Sequence, residues 1–149
     1  QFTRLKAEWR QLLAALIAGS LTATVSAVAI AWALGAKKAT LLSLAPKSVT
    51  TPIAMGIAEK IGGLPSLTAV LVVSTGIVGA VLAKYVLDAL AIADHAVRGF
   101  AVGVAAHGIG TARAFQVNPL AGAFAGIAMG LNGLLTAIIV PAILRAFGA

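Results

Sequence analysis

The sequence contains no cysteine and only four acidic residues among 149. It therefore has no disulfide bond, no thiolate nucleophile and no thiolate metal site. Charged residues make up 10% of the chain, against about 25% in an ordinary soluble domain, whereas 60% of the residues are hydrophobic. A soluble globule of this size leaves much of its surface in water and could not bury so much apolar material. These deficits exclude a soluble enzyme, a disordered tail and a secreted disulfide scaffold, and they predict an integral membrane protein.

The few charges are mostly basic, with 11 Lys and Arg and a net charge of +7. In a soluble protein this balance would suggest a nucleic-acid partner. Here the basic residues are scattered between apolar runs, without a basic stripe, and this pattern is typical of loops that face anionic headgroups. We therefore expect a lipid bilayer as the partner, and no nucleic acid.

The sequence also has few residues that could carry catalysis. Two histidines and four acids leave little material for a metal site. We find no nucleophile–base–acid set, no phosphate-binding loop in a strand–turn–helix context and no metal-ligand spacing. The expectation is a protein that is not an enzyme and has no metal or cofactor.

Long uncharged runs predict three uninterrupted membrane crossings in an all-α fold. Each run is long enough to cross a hydrocarbon core of about 30 Å at about 1.5 Å per residue. Residues 2–10 look like a basic, interfacial lead-in to the first crossing. The three crossings are predicted at 11–35, 65–88 and 120–146.

The segment 39–61 is apolar but interrupted. Pro46 and Pro52 each remove a helix hydrogen bond, and Pro46 biases Ala45 away from the helical region. Thr51 followed by Pro52 is typical of an N-cap and the first helical position. The sequence predicts two half-helices, at 40–45 and 52–60, joined by an extended polar link.

The segment 95–117 is interrupted by glycine instead. Gly108 and Gly110 follow His107 closely, and glycines weaken a helix and permit unusual backbone angles. The sequence predicts a half-helix at 96–106, a break at 107–110 and a second half-helix from Thr111 to about Val117. Paired broken segments followed by full crossings indicate a transporter with its site near the midplane.

The last crossing has glycines at every fourth position, Gly122, Gly126 and Gly130. This spacing predicts a helix-packing seam against another helix of this chain or of a partner subunit. Asn132 on the same helix could add an interhelical hydrogen bond.

Three stretches carry a resemblance to a known family. The sequence resembles the LrgB/CidB family of membrane proteins over nearly its whole length, in Leu44-Ala45-Pro46-Lys47-Ser48-Val49-Thr50-Thr51-Pro52-Ile53-Ala54, in Gly62-Gly63-Leu64-Pro65-Ser66-Leu67-Thr68 and in Ala106-His107-Gly108-Ile109-Gly110-Thr111-Ala112. Members of this family usually carry further N-terminal helices, so the resemblance implies that residues 1–149 form one transmembrane domain from the C-terminal part of a longer protein.

The resemblance implies transport of short hydroxy- or keto-carboxylates such as glycolate, glycerate or pyruvate, because relatives include a plastid glycolate/glycerate translocator. It also implies a bacterial cytoplasmic (inner) membrane location and an LrgA/CidA-type membrane partner. The family was named for holin- and antiholin-like effects on murein hydrolases and lysis. A pore or regulatory subunit, or a homo-oligomeric scaffold, is thus the alternative to a carrier.

The chemistry of the breaks supplies the candidate site. Half-helix N-termini offer unpaired N–H groups and roughly half a positive charge each, and hydroxyls and cations beside them suit a carboxylate. For Lys47, His107 and Arg113 the alternatives are a snorkelling cation, a packed imidazole and a structural counter-ion. The candidate substrate-binding residues are Lys47, Ser48, Thr50, Thr51, His107, Gly108, Gly110, Thr111 and Arg113.

Overall fold

The computed structural model describes the backbone of residues 2–146 and the side chains of residues 6–143. These residues form six α-helices and no strand. In chain order the helices are α1 (Phe2–Ala33), α2 (Lys38–Leu44), α3 (Thr51–Ile61), α4 (Pro65–Ala89), α5 (His95–Val117) and α6 (Pro119–Ala146). The predicted all-α class is confirmed.

Three of the helices are long and apolar enough to cross a membrane, namely Lys6–Ala33 in α1, all of α4 and Pro119–Ile143 in α6. They confirm the three predicted apolar helices. The observed and predicted bounds agree within two residues, except at the N-terminus of α1, which begins earlier than the predicted residue 11. Residues 2–10, the expected interfacial lead-in, form the first part of α1 and join the crossing without a break. Large apolar side chains stay exposed on these helices, with Val25 at 61% and Ile138 at 70%, which is the pattern of a surface that faces lipid.

The segment between α1 and α4 forms a hairpin, which we call the first hairpin: α2, a link at 45–50 (the first tip) and α3. The chain after α3 comes back beside the last turn of α2, because a Cβ on Gly63 would lie 2.9 Å from the Ser43 backbone N and 3.1 Å from the Leu42 carbonyl carbon. The Ser43 hydroxyl accepts a hydrogen bond from the Leu64 backbone N–H at 2.7 Å. α4 therefore begins on the side of the fold from which α2 entered.

The first tip differs from its prediction in conformation. Ala45 has helical angles (φ −52°, ψ −47°) instead of extended ones, and the link is a succession of turns in which Val49 N–H donates to Pro46 O at 3.3 Å. Apolar packing explains the difference. Ala45 and Val49 are buried in a cluster with Ile57 and Val72, so the tertiary contacts override the local bias of Pro46.

Helix α5 also folds back on itself, at His107, where φ is +41° and ψ is −134°. A Cβ on Gly110 would lie 3.2 Å from the Val102 carbonyl oxygen, although eight residues of straight helix span about 12 Å. The chain thus forms a second hairpin, with arms at 95–106 and 108–117 and a tip at 106–108 (the second tip). The predicted break at 107–110 is shorter than expected, because only His107 leaves the helical region within α5.

The two arms of the second hairpin run in opposite directions along α6. Gly99 and Gly103 of the first arm pack on the Ala121 and Ala125 carbonyls, in the same order along both helices. On the second arm the order is reversed, because Ala114 packs on Ala121 whereas Thr111 reaches Met129. This hairpin therefore enters from the side on which α6 begins, opposite to the first hairpin.

Candidate functional site

The first tip places a cation and several hydroxyls at the start of α3. Lys47 is partly buried, and its ammonium group donates to the Ser48 hydroxyl at 3.2 Å. Ser48 itself is buried. Thr50, and not Thr51 as predicted, is the N-cap residue of α3, and its side chain makes no capping hydrogen bond.

The N-terminus of α3 has unused backbone donors. The first helical bond of α3 runs from Ala54 N–H to Thr50 O at 2.9 Å, so the N–H groups of Thr51 and Ile53 precede the helical ladder. Pro52 between them has no N–H. Thr51 is half-exposed, and this end of α3 can therefore accept an anion.

The second tip holds a buried histidine. His107 is 3% exposed, and its Nε2 lies 2.9 Å from the Val72 carbonyl oxygen of α4. Because a carbonyl only accepts hydrogen bonds, Nε2 carries the proton and donates it. Gly76 makes room for the ring, since a Cβ there would lie 2.7 Å from His107 Cε1.

The remaining predicted residues of the second tip have structural roles. The Thr111 hydroxyl donates to the His107 carbonyl at 2.7 Å and lies 3.8 Å from Met129 Sδ. It therefore bonds the tip itself rather than capping a helix, and the second arm begins at Gly108. Gly110 faces the other arm, where a Cβ would lie 2.5 Å from Ala106 Cβ.

Asn132 of α6 joins the first tip to the first arm of the second hairpin, two residues before the second tip. Its Nδ2 donates to Ser48 O at 3.2 Å and to Val104 O at 3.1 Å, and the residue is 1% exposed. The two carbonyl oxygens thus lie closer together than one helix diameter of about 10 Å. The predicted interhelical hydrogen bond of Asn132 is confirmed. Its position at the tips was not predicted, because a lone amide in an uncharged run does not identify its partners.

The tips lie halfway along the three long helices. A Cβ on Gly19, near the middle of the apolar part of α1, would lie 3.2 Å from Val104 Cγ1. Gly76 lies near the middle of α4 and contacts His107, and Asn132 lies near the middle of α6. Two hairpins that enter from opposite ends of the long helices therefore meet about halfway along them, a level that we call mid-depth.

Arg113 lies away from the tips. It is exposed, donates to Gln116 Oε1 at 3.1 Å and lines a cavity of about 690 Å³ where α4 ends and α6 begins. In the same cavity Asp88 forms ion pairs with Lys84 and Arg98, both at 2.7 Å. The structure therefore brings together eight of the nine predicted site residues, five within the two tips and three directly beside them (Thr51, Gly110 and Thr111), and it places Arg113 in this outer cavity.

The predicted glycine seam has one occupied position. A Cβ on Gly122 would overlap the Phe115 ring, whereas no atom in the described part of the chain lies within 4 Å of a Cβ on Gly126 or Gly130. Packing at those two positions stays a prediction that requires another subunit or another helix. Sequence reasoning missed the glycines that do pack on α6, Gly99 and Gly103, which are also four residues apart.

Metal ligands are scarce at this site. Among the described residues, no three His, Asp or Glu side chains lie close enough together to hold a metal ion. The donors that converge at the tips are an ammonium, hydroxyls, an imidazole, an amide and backbone N–H groups, and this set suits a small organic anion.

Comparison with known proteins places the chain in context. The model of the LrgB-like family matches residues 1–146. An uncharacterized protein of Haemophilus influenzae is 31% identical over 145 residues, which cover 97% of this chain and 63% of the relative. The uncharacterized protein YwbG of Bacillus subtilis is 38% identical over 126 residues, covering 85% of this chain and 56% of the relative.

A third relative carries a descriptive name, the antiholin-like protein LrgB of Bacillus mycoides, 31% identical over 95% of this chain and 61% of its own length. The chain thus spans about three fifths of the length of these relatives. No solved structure matches it.

Proposed function

We propose that this chain, which belongs to the LrgB-like family, carries small monocarboxylates such as glycolate, glycerate or pyruvate across a membrane by alternating access. The two tips form the substrate site, and the chain does no covalent chemistry. The bacterial cytoplasmic membrane is its proposed location, and an LrgA/CidA-type protein and further copies of the chain are its proposed partners.

The observation that carries this proposal is the meeting of two oppositely directed hairpins at mid-depth. The first hairpin and α4 run from Lys38 to Ala89, and the second hairpin and α6 run from His95 to Ala146, so each unit is 52 residues long. Because the two units enter from opposite sides, they form an inverted pair. In secondary transporters such pairs place half-helices and the substrate at the midplane.

Half-helices inside a bilayer would supply the binding chemistry. The N-terminus of α3 and that of the arm beginning at Gly108 offer N–H groups and partial positive charge to a carboxylate. Lys47 adds a full charge. An unpaired lysine at the centre of a bilayer costs about 2.5–3.5 kcal/mol on insertion scales, so its retention at the tip supports a role with an anion.

A second candidate function is a holin- or antiholin-like pore or a regulatory subunit that controls murein hydrolases. The printed name of the Bacillus mycoides relative favours it. A pore requires no meeting of two hairpins, and a water-filled channel would not require the buried tips found here. We therefore rank it second.

Uptake by purified full-length protein in liposomes distinguishes the two functions. A carrier gives saturable uptake of radiolabelled glycolate or pyruvate that unlabelled substrate inhibits. A pore gives leak that does not saturate and that includes unrelated solutes of similar size. Saturable uptake that disappears in Lys47→Met, with the fold retained, supports the carrier and the site together, whereas leak without saturation contradicts the carrier.

A further inference from the structure

The side-chain amide of Asn132 has only one possible orientation. Both groups that face its Nδ2, the Ser48 and Val104 carbonyls, are acceptors. An amide oxygen turned toward them would face two acceptors without a donor, so the NH₂ group must lie there. The orientation directs Oδ1 away from both carbonyls.

Asn132 Oδ1 is consequently an acceptor without a donor. Within the described residues it is buried and receives no hydrogen bond. A buried acceptor of this kind is costly, and a group that donates a hydrogen bond there would bind favourably. The Lys47 ammonium group donates to Ser48, and no described residue donates to Oδ1, so a bound molecule that donates a hydrogen bond would satisfy this acceptor.

The chemistry of the possible substrates restricts that donor. An ionised carboxylate accepts hydrogen bonds and cannot donate them, and the oxygen of a keto group likewise only accepts. A hydroxyl on the carbon beside the carboxylate donates one hydrogen bond. Of the substrates in the proposed class, only hydroxy acids therefore supply what Oδ1 lacks.

We propose that Asn132 is the specificity-determining residue of the tip site and selects 2-hydroxycarboxylates over keto acids by accepting a hydrogen bond from their hydroxyl. The inference rests on the proposed function, because it assumes that the tips bind a monocarboxylate. The carboxylate lies at the two helix N-termini, and the hydroxyl on the adjacent carbon turns toward α6. Nδ2 meanwhile holds the two tips beside the substrate.

Matched ligands test the proposal on the wild-type protein. Fluoroacetate is close to glycolate in size and charge but has no hydroxyl to donate, and pyruvate stands in the same relation to lactate. We expect purified full-length protein to bind glycolate and lactate roughly 5- to 150-fold more tightly than fluoroacetate and pyruvate, respectively. Calorimetry with each acid measures the four affinities directly.

A pair of variants assigns the discrimination to Asn132. Asn132→Leu keeps the branching and the number of heavy atoms of the side chain but removes the acceptor, and the glycolate-to-fluoroacetate affinity ratio is expected to fall to about one. Asn132→Leu also removes the hydrogen bonds from Nδ2 to the Ser48 and Val104 carbonyls, and this loss should lower the affinity for both acids. The ratio of the two affinities is therefore the readout, because it reports only the loss of the Oδ1 acceptor. Thr136→Val is the control, since Thr136 is a buried polar residue of the same helix whose hydroxyl faces Ser20 at 3.5 Å, and it should keep the wild-type ratio.

Each contradictory outcome has its own meaning. Equal affinities for glycolate and fluoroacetate in the wild type would mean that water satisfies Oδ1, and this overturns the inference while leaving carboxylate binding intact. A wild-type ratio in folded Asn132→Leu overturns it as well. Binding of none of the four acids, with no saturable uptake, contradicts the proposed function itself. If Asn132→Leu does not fold, the wild-type ligand pairs decide alone.

Discussion

The first tip turns over six residues, whereas the second tip reverses the chain at His107 alone. The first tip keeps Lys47 and Thr51 partly exposed at the start of α3. In the second tip, the His107 ring and the Thr111 hydroxyl are already bonded within the protein. We therefore propose that the two hairpins differ in how they bind a substrate: the first would present side chains to it, and the second would present mainly backbone N–H groups.

The largest expected difference between the two hairpins concerns glycine. A Cβ on Gly103 would overlap the Ala125 carbonyl, whereas a Cβ on Gly56 of α3 meets no atom within 4 Å. Gly103→Val should therefore prevent the second hairpin from packing on α6 and abolish stable folding. Gly56→Ala should be neutral or stabilise by up to about 1 kcal/mol.

Yield, size-exclusion profile and thermal unfolding in detergent measure both effects. A monodisperse Gly103→Val protein with wild-type thermal stability would show that the close contact between α5 and α6 is absent in solution.

The two threonines should differ in what their loss changes. Thr51→Val removes a half-exposed hydroxyl at the α3 N-terminus and should weaken glycolate binding roughly 10- to 150-fold. Thr111→Val removes the bond to the His107 carbonyl and should lower stability by about 1 kcal/mol with a smaller change in affinity. Calorimetry and thermal unfolding of both variants separate the effects, and equal affinity losses would mean that both hydroxyls contact substrate.

The residues at which the two hairpins turn provide the next comparison. His107→Ala removes the bond to Val72 O and keeps a positive φ, so it should destabilise by about 1–2 kcal/mol, whereas Thr50→Ala should cost little because Thr50 makes no capping bond. An imidazole can take up and release a proton near neutral pH, and we propose that His107 carries a coupled proton during uptake. His107→Ala should then flatten the pH dependence of uptake between about pH 5 and 8. An unchanged pH profile would remove the proton role and leave the structural role of His107 standing.

The smallest effect is expected where each hairpin begins. Asp94 caps α5 by accepting from Ala96 N–H at 2.8 Å, whereas Lys37 provides no cap to α2. Asp94→Ala should cost about 1 kcal/mol, and Lys37→Ala should have almost no effect on thermal stability. Equal stabilities of the two variants would show that the Asp94 cap does not stabilise the second hairpin.

Much of the fold follows from charge-free runs and from proline and asparagine at their ends. The Asn118-Pro119 pair predicts the turn before α6, and in the structure Asn118 Oδ1 accepts from Leu120 N–H at 2.8 Å. The departures arise where tertiary packing acts. Ala45 is helical because its tip packs in a buried cluster. The break in α5 is confined to His107, and Gly110 lets the second arm pack closely on Ala106 and Val102 of the first arm.

The site was predictable in composition but not in geometry. Proline and glycine interruptions mark both tips. Of the nine candidate residues predicted there, the structure places eight at or beside the tips. The role of Asn132 depends on contacts 84 and 28 residues away in sequence, which no local pattern encodes. Arg113 was misplaced because the second arm carries it back toward the outer cavity, whereas a short half-helix starting at Thr111 would have kept it beside the site.

A structure of the full-length protein determined by electron cryo-microscopy with glycolate tests the central claim most directly. The account predicts one bound glycolate between the tips. Its carboxylate would lie within hydrogen-bond distance of N–H groups at Thr51 or Ile53 and of the arm that begins at Gly108, with Lys47 nearby. Glycolate bound only in the outer cavity near Arg113, or tips separated by more than one helix diameter in every state, would contradict a shared site at mid-depth.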